Sequence, residues 1–527
     1  MKKLLLLATL ILFLDISIAQ TSSGSKYAAT ITGADLKKYL TVMASDEMEG
    51  RETGTEGQRK AAAYIESQFM TIGLKYPAAL KSFQQLYPLW QDSLKKAEFS
   101  INGRSAIFGT DFIAPINVNE TGEFKGKKVI FAGYGIDDPK YNDYGGINVK
   151  GKVVIFFLGE PKNDGKYLIS GTTRPSEWTF PALARKIATA AEKGAIGVIV
   201  INPNQDVFNQ RSVDNGKKTA VYFPRPNASS SQLNAVQVSH AYAKTIIGEY
   251  FDTIVKLIKA GMPVDKHWAM ELKIKTALRF EKSRTVINAS NVLGVIEGTD
   301  KKDEFVFLTG HFDHLGKHDG KIYYGADDDG SGTCAVIEMA TAFAKAAAEG
   351  HGPRRTVVFM TVSGEEKGLW GSEYYSDHPI FPLDKTSADL NTDMVGRIDT
   401  ERKTGDTLNY VYVIGHDKLS SDLSIINEGT NNRNTQLVLD YKFDDPSDPN
   451  RIYFRSDHYN FARKGVPILF FYDGMLKSDY HKPTDTIEKI NWDLYEKRVR
   501  MIFYTAWEIA NREEMLKRDI PLTVGAK

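Results

Sequence analysis

Of 527 residues only one is cysteine, Cys334. An intramolecular disulfide is therefore excluded, and so is a lipid-anchored cysteine near the N-terminus. Excess charge is missing as well: the formal net charge is +1, which gives no basic footprint for nucleic acid or a membrane surface. Any acidity at a functional site must then be local. Long apolar runs are absent after the first residues, where "MKKLLLLATLILFLDISIAQ" sets Lys2 and Lys3 before an apolar stretch from Leu4 to Leu14, with Ser17 and Ala19 at small-residue positions. This is a signal-peptide pattern, residues 1–19, too short for a membrane span and with cleavage expected after Ala19. The product is expected to be exported, periplasmic or secreted, with no membrane partner once the leader is removed. A chain of this length exceeds what one core organises, so more than one domain is expected.

From residue 20 to 94 the pattern gives two helices around a polar, Gly-containing turn, the second amphipathic from Glu56 to Met70. Residues 95–268 change texture. Short β-branched or aromatic runs ("KVIFAGYGI", "KVVIFFLG", "IGVIVIN") are broken by Gly, Asn and Asp, with a helical "RKIATAAEKGA" among them. An inserted mixed β/α module without a metal-ligand cluster fits this stretch and suggests an accessory role. Residues 269–527 alternate strands ("NVLGVIEG", "EFVFLTG", "RTVVFMTVSG", "ADLNTDM", "NYVYVIG", "VPILFFYDG") with helices at "GTCAVIEMATAFAKAAAEG" and across "WDLYEKRVRMIFYTAWEIANREEMLKR". Such alternation argues for a largely parallel α/β sheet covered on both faces. Ligands bind beyond the carboxyl ends of strands in sheets of this kind.

Polar groups do cluster after those runs. "EFVFLTG" is followed by His311 and Asp313, "RTVVFMTVSG" by Glu365 and Glu366; "ADLNTDM" carries Asp393, and "DYHKPTDT" after "VPILFFYDG" carries His481. The acidic loop "GADDDGSG", with Asp327, Asp328 and Asp329, opens a helix. Charges of one sign repel at close range, so this many carboxylates in one place call for cations. Carboxylate and imidazole ligands without cysteine suit zinc, and also manganese or cobalt. A bridging carboxylate between two ions would accommodate the acid, and two-metal hydrolytic sites hold their ions roughly 3.5–4 Å apart.

In combination these motifs resemble the M28 family of dizinc exopeptidases: "HFD", "DDGSG", "SGEEKGLWGS", "NTDM" and "YHKPTDT", together with "ASDEMEGRETGTEGQRKAAAYI" near the start. "NDYGGINVKGKVVIFFLGEP" followed by "AAEKGAIGVIVIN" resembles the protease-associated (PA) domain. The resemblance implies a three-layer α/β/α zinc-exopeptidase domain with a mostly parallel mixed sheet, interrupted by a PA-type domain, acting on peptides. It implies two Zn2+ ions, for which Mn2+ or Co2+ can substitute. His311 and Asp393 would hold one, Glu366 and His481 the other, and Asp328 would bridge them, with Asp327 and Asp329 shaping the loop. Glu365 would be the general base that takes a proton from the attacking water and passes it to the leaving amine. Asp313 would accept a hydrogen bond from the far nitrogen of His311. Tyr480 matches an oxyanion-stabilising tyrosine of the glutamate carboxypeptidase branch. "RSDHYNFARKGVP" matches a cleft-lining segment, so Asp457 and His458 either touch substrate or form a buried pair.

Other acids, histidines and the cysteine read more plainly. His314 and His318 are expected to face solvent. Asp444, Asp445 and Asp448 form a turn-rich loop, with a structural calcium as the alternative. Cys334 is expected to pack as a small apolar residue. An aminopeptidase is the leading reading. A carboxypeptidase or dipeptidase of the same fold is the nearest rival, weakened because Phe470, Phe471 and Tyr472 stand after "GVPI" where the carboxypeptidase branch has arginines. A single-zinc glutaminyl cyclase and a receptor-like protein without metal complete the alternatives; the oligomeric state is left open.

Overall fold

The computed structural model describes residues 24–179, 182–225, 233–264 and 270–522. The signal-peptide segment, residues 1–19, lies outside them. Two compact units result: residues 1–88 with 288–527, and residues 89–287.

The first unit begins with two helices. In α1, Gly33–Met43, the Thr32 side chain accepts the backbone N–H of Asp35 and so closes the helix start. In α2, Glu56–Ile72, Ala61, Ala62, Ile65 and Phe69 form the buried stripe, and Gly73 at φ 88° ends the helix in the left-handed region.

In the second unit four strands run parallel side by side, β1 (Val129–Phe131), β2 (Val153–Phe157), β3 (Gly197–Ile201) and β4 (Ala235–Val238), with antiparallel Glu271–Leu272 and Phe112–Ile113 at the edges. β2 and β3 are apolar and buried throughout because both faces are covered. Val153, Ile155 and Phe157 enter one core, Val154 and Phe156 the other. On α3 (Ala182–Glu192) Lys186 is fully buried, and its ammonium donates to the carbonyls of Tyr134 (2.6 Å) and Gly159 (2.5 Å) at strand ends.

The rest of the first unit supplies its sheet, the first strand entering it from residue 288 on. In sequence come β5 (Thr276–Ile296), β6 (Lys301–His311), helix α4 (Gly330–Ala348), β7 (Arg355–Val362), α5 (Trp370–Asp377), β8 (Thr386–Thr392), β9 (Tyr410–Ile414), β10 (Val438–Asp440), β11 (Ile468–Tyr472) and α6 (Trp492–Asn511). In space the order is β5-β7-β6-β8-β11-β9-β10. The central four, β7, β6, β8 and β11, are mutually parallel, while β5 and β9 join antiparallel. Alternation sorts side chains into two layers: Val306, Leu308, Leu469 and Phe471 meet a core shared with α1, α2, α4 and α6, while Phe305, Phe307, Ile468 and Phe470 face a second core with Tyr375 of α5. This is the expected three-layer α/β/α arrangement with a mostly parallel mixed sheet.

One reading needs shortening. Good helix formers continue to Arg518, yet α6 ends at Asn511. The buried Arg355 guanidinium donates to the carbonyls of Ile509, Arg512 and Glu513, which holds the chain in an extended exit. Among the described residues no helix is long and apolar enough to cross a membrane.

Candidate metal centre

Four parallel strands of the first unit end on one side of the sheet, and each delivers polar groups there. His311 closes β6; Asp313 and His314 follow it. Glu365 and Glu366 come just after β7, Asp393 directly after β8, and Asp473 directly after β11, with His481 in the loop beyond. The acidic loop enters between β6 and α4. Its Asp329 carboxylate accepts the N–H groups of Gly332 (2.8 Å), His311 (3.0 Å) and Met394 (3.0 Å), tying the helix start to two strand ends. Asp327 accepts from Gly396 N–H at 2.9 Å. In turn, the N–H groups of Asp327 and Asp328 donate to Asp485 at 3.1 to 3.2 Å. Gly332 is obligatory here, since a Cβ would stand 2.1 Å from the Thr392 carbonyl.

Asp328 is left pointing inward between two groups. Its Oδ1 is 3.4 Å from His311 Nε2, which lies 3.5 Å from Asp393 Oδ1 and 3.9 Å from Glu365 Oε2. Its Oδ2 is 3.3 Å from His481 Nε2, which lies 3.0 Å from Glu366 Oε2. His481 sits at φ 56°, a left-handed conformation that a histidine holds only at a cost. The Asp313 carboxylate accepts the Thr53 hydroxyl (2.7 Å) and the Glu365 N–H (3.2 Å). His311 Nδ1 is nearer to the Asp313 carbonyl, 3.1 Å, than to its carboxylate, 3.7 Å.

The residues present fit divalent cations. Asp328 Oδ2, Glu366 Oε1 and both His314 nitrogens are buried without a hydrogen-bond partner, and such atoms are costly unless something satisfies them. Two groups, His311–Glu365–Asp393 and His314–Asp328–Glu366, bring ligand atoms within 4.8 Å of one another. Electrostatics point the same way. Burial opposes protonation of His481, but Asp328 and Glu366 push it up to about 10. Burial likewise opposes, and Asp393 and Glu365 overcome, so that His311 is raised well above its ordinary value. Burial pushes Glu365 well above the carboxylate range, Glu366 and Asp393 adding to it against the pull of His311. The cluster draws positive charge from whatever can carry it.

Correcting the sequence reading, His314 does not face solvent. It is fully buried, with Nδ1 2.7 Å from Glu366 Oε1; the chain turns back after β6 and carries it under the acidic loop. His318 is exposed. Arg51, in the polar turn before α2, was not singled out either, yet it is fully buried and donates to the carbonyls of Met43, Phe312, Tyr324 and Gly325 at 2.6 to 2.8 Å. Asp457 and His458 are both buried. Asp457 accepts the Ser372 hydroxyl at 2.5 Å, and burial pushes its carboxyl up to about 7. His458 Nε2 pairs with the Tyr453 carbonyl at 2.8 Å. Asp444 is paired with Lys418 and His416, both at 2.5 Å, while Asp445 accepts the Ser447 N–H and Asp448 those of Asn450 and Ile452. Cys334 is buried in the α4 core.

The cavity beside the cluster is lined by Asp328, Glu365 and Asp393 together with Phe470, Tyr472 and the exposed Arg455. Arg455 Nη2 donates to the Tyr480 hydroxyl at 2.9 Å, and the Tyr480 ring stacks on His481 with centroids 3.8 Å apart.

Comparison with known proteins follows from this geometry. Residues 291–506 match the sequence model of peptidase family M28, and residues 119–246 that of the PA domain. A probable zinc metalloprotease of Pyrenophora tritici-repentis is 28% identical over 215 residues, 39% of this chain and 46% of that protein. A probable leucine aminopeptidase of Trichophyton verrucosum is 28% identical over 226 residues, 42% of this chain and 57% of that protein. The chain thus spans about half the length of the curated relatives it matches. An aminopeptidase from Aneurinibacillus sp. strain AM-1 has a similar fold, with a TM-score of 0.51 at 17% identity over 94% of this chain and 98% of that one. Taken with the strand-end cluster, the two sequence matches identify residues 291–506 as a peptidase family M28 domain and residues 119–246 as a PA domain.

Proposed function

We propose that the protein is an exported, two-zinc exopeptidase that removes N-terminal residues from peptides. The observation that carries this reading is the convergence of carboxylates and imidazoles from four strand ends on shared space, several of their atoms buried and unpartnered. His311, Asp393, Asp328, Glu366 and His481 would hold the ions, with Mn2+ or Co2+ as substitutes; such a pair lowers the pKa of a bound water and polarises a carbonyl.

Glu365, oriented through its backbone by Asp313, takes the proton from the attacking water and delivers it to the leaving amine. Tyr480 accepts from Arg455, so its own phenolic proton is free to donate to the developing oxyanion. The carboxylates receive the substrate's ammonium group, while Phe470 and Tyr472 offer an apolar wall to its side chain.

A second reading, a carboxypeptidase or dipeptidase, is favoured by Arg455. Its guanidinium faces the cleft with no carboxylate within 4.0 Å among the described residues, and it is suited to a substrate carboxylate. One experiment separates the two: incubate the zinc-supplemented protein with a peptide pool bearing blocked and unblocked termini, and read products by mass spectrometry. Stepwise loss from free N-termini is expected. Loss from C-termini transfers the assignment to the second reading, ammonia loss from N-terminal glutamine to a cyclase, and no product under any metal defeats all three. Export is tested separately by N-terminal sequencing of protein recovered outside expressing cells, where Gln20 is the expected first residue.

A further inference from the structure

His314 has no role in the five-ligand arrangement above. It is fully buried, and both ring nitrogens lack a hydrogen-bond partner. A neutral imidazole has one donor and one acceptor to satisfy, so leaving both orphaned is costly. The ring is also accommodated deliberately. Gly325, at φ 55°, packs against it, and a Cβ there would stand 2.5 Å from His314 Cγ.

What the ring faces is the second group of ligands. His314 Nδ1 lies 2.7 Å from Glu366 Oε1 and 3.8 Å from Asp328 Oδ2, and both of those oxygens are themselves unpartnered. The 2.7 Å contact pairs an imidazole nitrogen with a carboxylate oxygen, two groups that both offer lone pairs to a cation. Two ligands of one zinc, each at about 2.0–2.1 Å, stand roughly 2.9–3.4 Å apart at tetrahedral to right angles. His481 Nε2 meets Glu366 Oε2 at 3.0 Å and Asp328 Oδ2 at 3.3 Å, and the contacts of His314 straddle the same interval. A single cation at that point would satisfy all three lone-pair donors at once.

We infer that His314 is a sixth protein ligand, binding through Nδ1 the cation also held by Glu366, His481 and Asp328. The inference rests on the two-cation reading and makes the two positions unequal. One is enclosed by four side chains. The other, with His311, Asp393 and Asp328, keeps more of its sphere open, as catalytic positions do and structural ones do not. The enclosed cation is therefore the firmly held one, and the open position is where water and substrate exchange.

The test counts histidines and ions in the full chain. X-ray absorption of the zinc-loaded wild type should show about 1.5 imidazoles per zinc, three shared by two ions; about 1.0 overturns the inference. In parallel, metal content is measured by mass spectrometry after dialysis at fixed free zinc. His314→Ala should fall from two ions to one, losing affinity at the enclosed position by more than the ~10–100-fold that an outer hydrogen-bonding partner costs; two ions retained at wild-type affinity also overturns it. His314→Gln, closer in volume, guards against misfolding and should show the same loss, with circular dichroism confirming the fold. A wild type that binds one ion defeats the two-cation reading instead, and the inference then stands or falls on whether His314→Ala releases that ion. No bound ion defeats both.

Discussion

Both units bury charge, and they do so in opposite ways. In the second unit the Lys186 ammonium is saturated by backbone carbonyls at strand ends, and the Asp143 carboxylate accepts the N–H groups of Tyr134 and Ile136, both at 3.0 Å, and the Tyr141 hydroxyl at 2.8 Å. In the first unit Asp328, Glu366 and His314 keep buried atoms without a hydrogen-bond partner, facing one another instead. Both sets lie by the ends of parallel strands. What sets the second case apart is that the open atoms of three different side chains face one another, which is the arrangement a cation from outside would fill.

That contrast can be broken by substitution. The largest effect is expected from Glu365→Gln, which removes the proton acceptor but no charge-balancing ligand: kcat should fall by about 10²–10⁴ while metal content stays that of wild type. Near-full activity would remove Glu365 from its role. Next comes metal removal. Chelation should lower the unfolding free energy of the first unit by about 3 kcal/mol for a metal present at a hundred times its Kd, and leave the second unit's transition in place. Calorimetry resolves the two, and equal shifts would mean that ions also bind in the second unit.

Lys186→Met tests the other side of the comparison. It leaves the Tyr134 and Gly159 carbonyls without their donor, at a cost of about 1–3 kcal/mol, read in the second unit by Trp178 fluorescence. The pH dependence carries a sign. Burial pushes Lys186 down to about 7, against the pull of Asp143 and Glu160. Between pH 7 and 10.5 the unfolded chain then holds a proton that the folded chain has released. Wild-type stability should therefore gain from this group as pH rises through that window, by at most about 1.4 kcal/mol per unit, and Lys186→Met should lose the slope. The smallest effect belongs to Cys334→Ala. Burial pushes the thiol up, so the folded protein should resist thiol reagents, and the substitution should cost about 1 kcal/mol of packing with activity unchanged.

Much of the first unit was legible because its strands announce themselves as apolar runs and the polar residues after them fall into step. His311, Glu365, Glu366 and Asp393 need only the rule that such sheets work at their carboxyl ends. His314 was not legible by that rule, for it lies in "HLGKHDGK", whose composition is that of a solvated loop; only the path of the chain beneath Gly325 buries it. Arg51 was hidden for the same reason, in a turn whose carbonyl partners Phe312, Tyr324 and Gly325 lie more than 250 positions away. The early end of α6 is likewise a tertiary decision, made by Arg355 against local helix propensity.

The side chains at the centre are far apart along the chain, from His311 to His481, and Asp485, which holds the acidic loop in place, comes later still. A ribosome making this protein must therefore release nearly all of it before any ion can be captured in the finished geometry. On the two-cation reading, cation uptake would be a late event in the life of each molecule, and a chain cut short by its last fifty residues would lose α6 from its core along with His481 and Asp485.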